Sequence, residues 1–184
     1  MKSAFVIFDR DGTLVEHVHY LTDPNLVKFK QDLIPALSDL QTSGFRFGII
    51  TNQSVIGRKM ADLKTVNKIN HKIIDFLREN GITIVFTLIC PHIPEDNCEC
   101  RKPRIMLGTR AEIEFGVDLR KSFVIGDQES DMQFGKNLGC KVVQVRGNAG
   151  FSPLADKHSD TLHDAARWII RESSKEFKDV NSKK

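Results

Sequence analysis

The chain lacks any apolar run approaching the roughly 20 residues needed to cross a bilayer, and its opening, MKSAFVIFDR, meets charge too early for a secretory signal. A cytoplasmic protein without membrane contact is therefore expected. It also lacks a strong charge of one sign: 27 Lys and Arg oppose 24 Asp and Glu, leaving a net +3. The basic residues are scattered apart from a final Lys183 and Lys184, and no basic stripe carries interleaved aromatics, so nucleic acid is not an expected partner. Internal repeats and low-complexity segments are absent, and there are only four cysteines. What remains is 40% hydrophobic and 28% charged residue content over 184 positions, ordinary for one globular domain with a sizeable core. That domain is expected at residues 1–172, as a monomer, followed by a polar, frayed tail at 173–184.

Apolar strand-like runs alternate with helical patterns, which predicts an α/β fold with a doubly wound, mostly parallel sheet. Strands are expected at residues 4–8, 45–50, 82–89, 122–125 and 141–145, and helices at 33–43, 61–80, 105–115, 130–138 and 161–172. Residues 10–28 read as a flap and 90–104 as a loop containing Cys and Pro. In the 61–80 helix, Val66, Ile69, Ile73 and Leu77 recur at helical spacing, and Gly81 stands in the helix-stop position.

The first strand ends in Asp9-Arg10-Asp11-Gly12-Thr13. Ligands of open parallel sheets bind beyond the carboxyl ends of strands. If the backbone stays extended, Asp9 and Asp11 point the same way and Arg10 points elsewhere. Two carboxylates sharing one small space invite a cation, and Mg²⁺ prefers oxygen ligands. An isolated Asp-x-Asp-Gly can equally be a turn, but three further polar segments fall at the same edge. Thr51 and Asn52 follow the second strand and can donate to phosphate oxygens. Arg101-Lys102-Pro103 follows the cysteine loop, and Lys102 there can offset charge on a transferring phosphoryl group. Gly126-Asp127-Gln128-Glu129-Ser130-Asp131 follows the fourth strand and adds acidic ligands.

In order, DRDGT, ITNQS, CRKP and IGDQESD resemble the four signature motifs of the haloacid dehalogenase (HAD) superfamily of phosphatases, over roughly residues 4–148. Within it the chain resembles the branch of D-glycero-D-manno-heptose 1,7-bisphosphate and histidinol-phosphate phosphatases. The resemblance implies a HAD-like Rossmannoid fold and a hydrolysis running through an aspartyl-phosphate on Asp9, with Asp11 as the acid and then the base. It implies that Thr51 and Lys102 hold the phosphate. It implies Mg²⁺ bound by Asp9, the backbone carbonyl of Asp11 and Asp127, with Asp131 behind them. Asp11 should have its pKa raised relative to Asp9, because it must be protonated when the leaving group departs.

Cys90, His92, Cys98 and Cys100 lie within eleven residues of one another. Three thiolates and an imidazole suit a closed tetrahedral Zn²⁺ site. Disulfides, unconnected buried thiols or an iron–sulfur cluster are the competing readings; the expected compartment disfavours disulfides, and the histidine is left unexplained by thiols alone and disfavours the cluster. Cys140 reads as a small core residue. The zinc loop runs into Arg101 and Lys102, so the metal would fix the loop that presents the lysine. The resembling branch carries a zinc loop here and has no large cap domain, and this chain has no spare segment of cap size.

Specificity then falls to short elements: the flap with His17 and His19, the segment from Val55 to Arg58, and the zinc loop. Arg58 and Arg101 are candidates for a second anionic group of a small phosphorylated metabolite. The TNQS-x-I-x-R pattern resembles the heptose bisphosphate phosphatases, while the five-residue gap between His92 and Cys98 is closer to histidinol-phosphate phosphatases. Val55 and Gly57 stand where the heptose branch tends to have Gly and Ala. The reading leans to the heptose bisphosphate, losing its C7 phosphate. Histidinol phosphate, a nucleic-acid 3′-phosphatase, and a non-catalytic zinc-containing interaction protein are the alternatives.

Overall fold

The computed structural model describes residues 2–147 and 150–181, with side chains of the last helix described as far as Lys175. The chain runs β1 Phe5–Phe8, α1 Leu33–Thr42, β2 Arg46–Asn52, α2 Ser54–Gly57, α3 Leu63–Glu79 and β3 Ile84–Cys90. It continues α4 Met106–Phe115, β4 Phe123–Gly126, α5 Glu129–Asn137, β5 Lys141–Val145, β6 Lys157–Ser159 and α6 Leu162–Asn181. Six strands form one sheet in the order β3-β2-β1-β4-β5-β6, every neighbouring pair parallel.

Strand alternation divides the core into two layers. Val6 and Phe8 of β1 join Leu37 and Leu40 of α1, Ile69 and Ile73 of α3, and Ala165 and Ile169 of α6. Phe5 and Ile7 face the opposite layer, with Leu107 and Ala111 of α4 and Met132 and Phe134 of α5. Both faces of the sheet are thereby covered, so β1 reads as an unbroken apolar run. Each large apolar side chain buried in this way contributes about 1.5–3 kcal/mol. Gly48 of β2 is required by packing, since a Cβ there would lie 2.1 Å from the Phe86 ring.

Helix α3 starts at Asp62, whose carboxylate accepts from the Thr65 amide at 2.8 Å, and it ends before Gly81, which adopts φ +79°. Two elements depart from the sequence expectation by addition. Strand β6 is three residues long, polar and at the sheet edge, so it carries no apolar signal. Helix α2 is a single turn directly after β2. Helix α6 continues to Asn181, through most of the stretch expected as a tail, and residues 182–184 lie outside the described ones.

The order 3-2-1-4-5-6 places the topological switch between β1 and β4. The chain leaves β1 toward β2 and β3 on one side, then crosses back to β4 on the other. The crevice beyond their carboxyl ends is where open α/β sheets bind ligands, and the Asp9 amide donates to the Ile125 carbonyl of β4 at 2.9 Å across it.

Candidate active site

Asp9 leaves β1, Thr51 and Asn52 end β2, and Asp127 follows β4. Parallel pairing in register therefore delivers all of them to one rim. A cavity of about 570 Å³ opens there, lined among others by Asp9, Asp11, Thr51, Arg101, Lys102 and Asp131.

Lys102 reaches this rim from the cysteine loop and is buried. Its Nζ donates to Asp9 Oδ1 at 2.6 Å and to the Ile50 carbonyl at 2.7 Å, and it pairs with Asp131 Oδ1 at 2.7 Å. Burial alone would lower the lysine pKa, but the Asp131 and Asp9 carboxylates outweigh it and hold the ammonium charged. Asp9 is pushed up to about 7, foremost by burial, with Lys102 pulling down and the charges of Asp131 and Asp11 adding to the rise. Burial likewise raises Asp127.

One oxygen of Asp127, Oδ1, is buried without a hydrogen-bond partner, while its Oδ2 accepts from Gln128 Nε2 at 2.6 Å. Carboxylate oxygens of Asp9, Asp127 and Asp131 lie within 4.8 Å of one another. Three acidic groups held that close, one of them with an orphaned oxygen, suit a hard divalent cation. Gly12 makes room for this arrangement. It has φ +84°, and a Cβ there would fall 2.5 Å from Asp127 Oδ2.

Asp131, expected behind the ligands, lies close to the other two carboxylates but gives Oδ1 to Lys102 Nζ at 2.7 Å and accepts from the Gln128 amide on Oδ2 at 3.1 Å. Asp11 lines the same cavity as Asp9, whereas Arg10 does not point elsewhere. The chain bends at Arg10 rather than staying extended, and the Arg10 guanidinium folds onto Asp11. Nε donates to Asp11 Oδ2 and Nη2 to Oδ1, each at 3.0 Å, and Gln53 Nε2 donates to Oδ2 at 2.8 Å.

Asn52 grips the backbone of Lys102 from both ends of its amide: Oδ1 accepts from Lys102 N at 3.0 Å, and Nδ2 donates to Lys102 O at 3.2 Å. Thr51 Oγ1 accepts from Gln53 Nε2 at 2.8 Å. Around the mouth, His17, His19 and Tyr20 line the cavity. The exposed Arg58 places its guanidinium 5.5 Å from the Tyr20 ring centroid, and Arg101 Nη1 donates to the His92 carbonyl at 3.2 Å.

The cysteine loop brings its four expected ligands together. Sγ of Cys100 lies 3.2 Å from Cys90 Sγ and 3.5 Å from Cys98 Sγ, with 3.6 Å between Cys90 and Cys98. His92 Nδ1 is 3.2 Å from Cys100 Sγ and 3.8 Å from Cys90 Sγ. Zn–S bonds of about 2.3 Å in a tetrahedron put ligand atoms roughly 3.8 Å apart, close to these spacings. All four cysteines are free, so the disulfide reading is set aside. Burial pushes the Cys90 and Cys100 thiols up, a tendency a bound dication reverses. Cys140 is buried in the core layer beneath α4 and α5, as expected.

Sequence reasoning passed over Arg10, Gln53 and Asn70, which join in one buried network. The available signals were an arginine between two aspartates, and a polar Asn70 interrupting the apolar stripe of α3.

Residues 99–167 match the HAD-hydrolase-like family model. Over 140 residues the chain is 36% identical to a probable D-glycero-D-manno-heptose-1,7-bisphosphate 7-phosphatase of Thermoplasma acidophilum, covering 76% of this chain and 86% of that protein. It is 34% identical over 149 residues to the histidine biosynthesis bifunctional protein HisB of Buchnera aphidicola, covering 79% of this chain. The chain spans only 42% of that bifunctional protein's length. A solved structure of D,D-heptose 1,7-bisphosphate phosphatase from B. bronchiseptica, complexed with magnesium and phosphate, superposes with a TM-score of 0.83 at 26% identity. That match covers 92% of this chain and 99% of the other.

Proposed function

Since the chain belongs to the HAD-like phosphatases, we propose that it hydrolyses a small phosphorylated metabolite through Asp9, and that the substrate is D-glycero-D-manno-heptose 1,7-bisphosphate, losing the C7 phosphate. The observation that carries the reading is the Asp9 carboxylate held 2.6 Å from a buried Lys102 at the floor of the cavity, beside the orphaned Asp127 oxygen.

Asp9 and Asp127, with the Asp11 carbonyl and with Asp131 behind them, would hold Mg²⁺, which when bound neutralises the charge that keeps a carboxylate from a phosphate dianion. The residues do the rest. An Asp9 oxygen attacks phosphorus as the ester P–O bond breaks, forming an aspartyl-phosphate. Asp11 gives its proton to the departing oxygen. It then takes a proton from water, whose oxygen attacks the phosphorus, releasing phosphate and regenerating Asp9. Lys102 shares its donors with the transferring oxygens, and the Thr51 hydroxyl offers another donor. Arg101 and Arg58 flank the mouth, where they suit a second anionic group. The four-ligand loop, read as a structural Zn²⁺ site, fixes the segment that carries Arg101 and Lys102.

The HisB relationship gives the second reading, histidinol phosphate. A Mg²⁺-dependent phosphate-release assay comparing the two esters separates them. A large kcat/KM preference for the bisphosphate is the expected result, and the reverse preference would transfer the assignment to histidinol phosphate. No release from either would remove the proposed substrate class.

The metal assignment has a pH signature. Asp9 is held at about 7 in the folded protein against an ordinary 3.8, so the fold takes up a proton there. Its contribution to stability is full below the unfolded value and is lost as pH rises through the folded value. Mg²⁺ competes with that proton, so the rise in Tm on adding Mg²⁺ should be larger at about pH 8 than at about pH 5.5. A pH-independent rise, read by differential scanning fluorimetry, would remove Asp9 from the ligand set.

A further inference from the structure

Arg10 is among the bulkiest fully buried side chains of the described residues. Four donors of its guanidinium are matched: Nε and Nη2 fork onto the Asp11 carboxylate, Nη2 also reaches Gln53 Oε1 at 2.9 Å, and Nη1 reaches Asn70 Oδ1 at 3.0 Å. Gln53 closes the ring by donating to both Asp11 and Thr51 at 2.8 Å. The pair is lopsided, since the Arg10 side chain is 1% exposed while that of Asp11 is 21% exposed and faces the cavity.

A buried ion pair is a poor source of stability, because desolvation offsets most of the attraction. Sinking only the cation, and tying it to a helix 60 residues away, has a clearer use in aiming the carboxylate. A planar fork fixes the direction of both oxygens as a point charge would not. The amide nitrogen of Asn70 is itself buried without a partner, so the helix retains a polar group whose evident service is to hold Arg10. We propose that Arg10, backed by Gln53 and Asn70, is the positioning residue that aims Asp11 at the leaving oxygen. The proposal rests on the assignment of Asp11 as proton donor.

The test compares leaving groups. An alkyl phosphate ester needs its oxygen protonated as it departs, whereas p-nitrophenolate leaves without help. In the Arg10→Met protein, kcat/KM for whichever of the two metabolites the wild type prefers should fall by at least about 10²-fold. On p-nitrophenyl phosphate the fall should stay under about 5-fold. Because kcat/KM reports steps only through the first irreversible one, the later role of Asp11 with water does not enter. Arg10→Lys, which keeps charge and loses the fork, should lie between. Equal losses on both esters would make Arg10 merely structural and overturn the proposal, as would no loss on either. Should Arg10→Met fail to fold, Asn70→Ala is expected to show the same selectivity at roughly 3–10-fold, and its absence counts against the proposal equally. Wild-type protein inactive on both esters would instead sink the phosphatase assignment of the site, which keeps the two failures apart.

Discussion

With Asn at position 9, turnover is expected to fall by at least about 10⁴-fold while the fold survives. The amide keeps the size of the carboxyl but cannot form the acyl phosphate, so no radiolabelled phosphate should remain on acid-quenched protein. Stability should move the other way. The ionised Asp9 is disfavoured by burial more than Lys102 repays, which is why its pKa stands near 7. Lys102 keeps the Asp131 carboxylate and the Ile50 carbonyl after the change. The metal-free Asp9→Asn protein should therefore melt at or above the wild-type temperature at neutral pH, and its Mg²⁺-induced rise in Tm should shrink. Residual activity within 100-fold of wild type, about 2.7 kcal/mol in barrier, would mean that another group attacks phosphorus.

Much of the fold could be read from the chain because β1, β2, β4 and β5 are buried on both faces, so their apolar runs stand out against helical periodicity. The order of those strands could not, since nothing local to a strand records its neighbours. Strand β6 escaped because Lys157, His158 and Ser159 are polar residues joined to the edge by β5 alone. Helix α2 escaped because one turn is too short to show a period.

The site divides along similar lines. Asp9, Thr51, Lys102 and Asp127 were legible because each follows a strand or loop that ends at the same rim. Misreading began where regular geometry stopped. Alternation assumed an extended chain through Asp11, but the bend at Arg10 and the positive φ of Gly12 turn the segment. Arg10 then folds under Asp11 instead of away from it. Asn52, expected to donate to phosphate, lines the cavity and also clasps the backbone of Lys102 with its amide. That contact spans 50 residues, so no local pattern reports it.

Loss of the four-ligand loop is expected to impair catalysis too, less than loss of Asp9 and by a different route. Cys100 stands two residues before Lys102, and the loop is tied down by Arg101 to the His92 carbonyl and by Arg104 to the Cys98 carbonyl at 3.0 Å. Three sulfur atoms lie within 3.6 Å of one another, a spacing that a shared metal would hold. Structural zinc contributes folding energy directly. In Cys100→Ser, a loss of about 3 kcal/mol would lower Tm by roughly 6–12 °C in a chain of this size. Metal analysis should find one zinc per wild-type chain and far less in the variant. The lysine must be placed to within about 0.5 Å to serve the transferring phosphoryl group, so kcat/KM should fall by at least about 10²-fold. Excess Mg²⁺ should not restore it, because Mg²⁺ prefers oxygen and leaves thiolates unbound. A zinc-depleted variant with wild-type kcat/KM would separate the loop from catalysis, leaving Asn52 and the Ile50 carbonyl to anchor Lys102 from the β2 side.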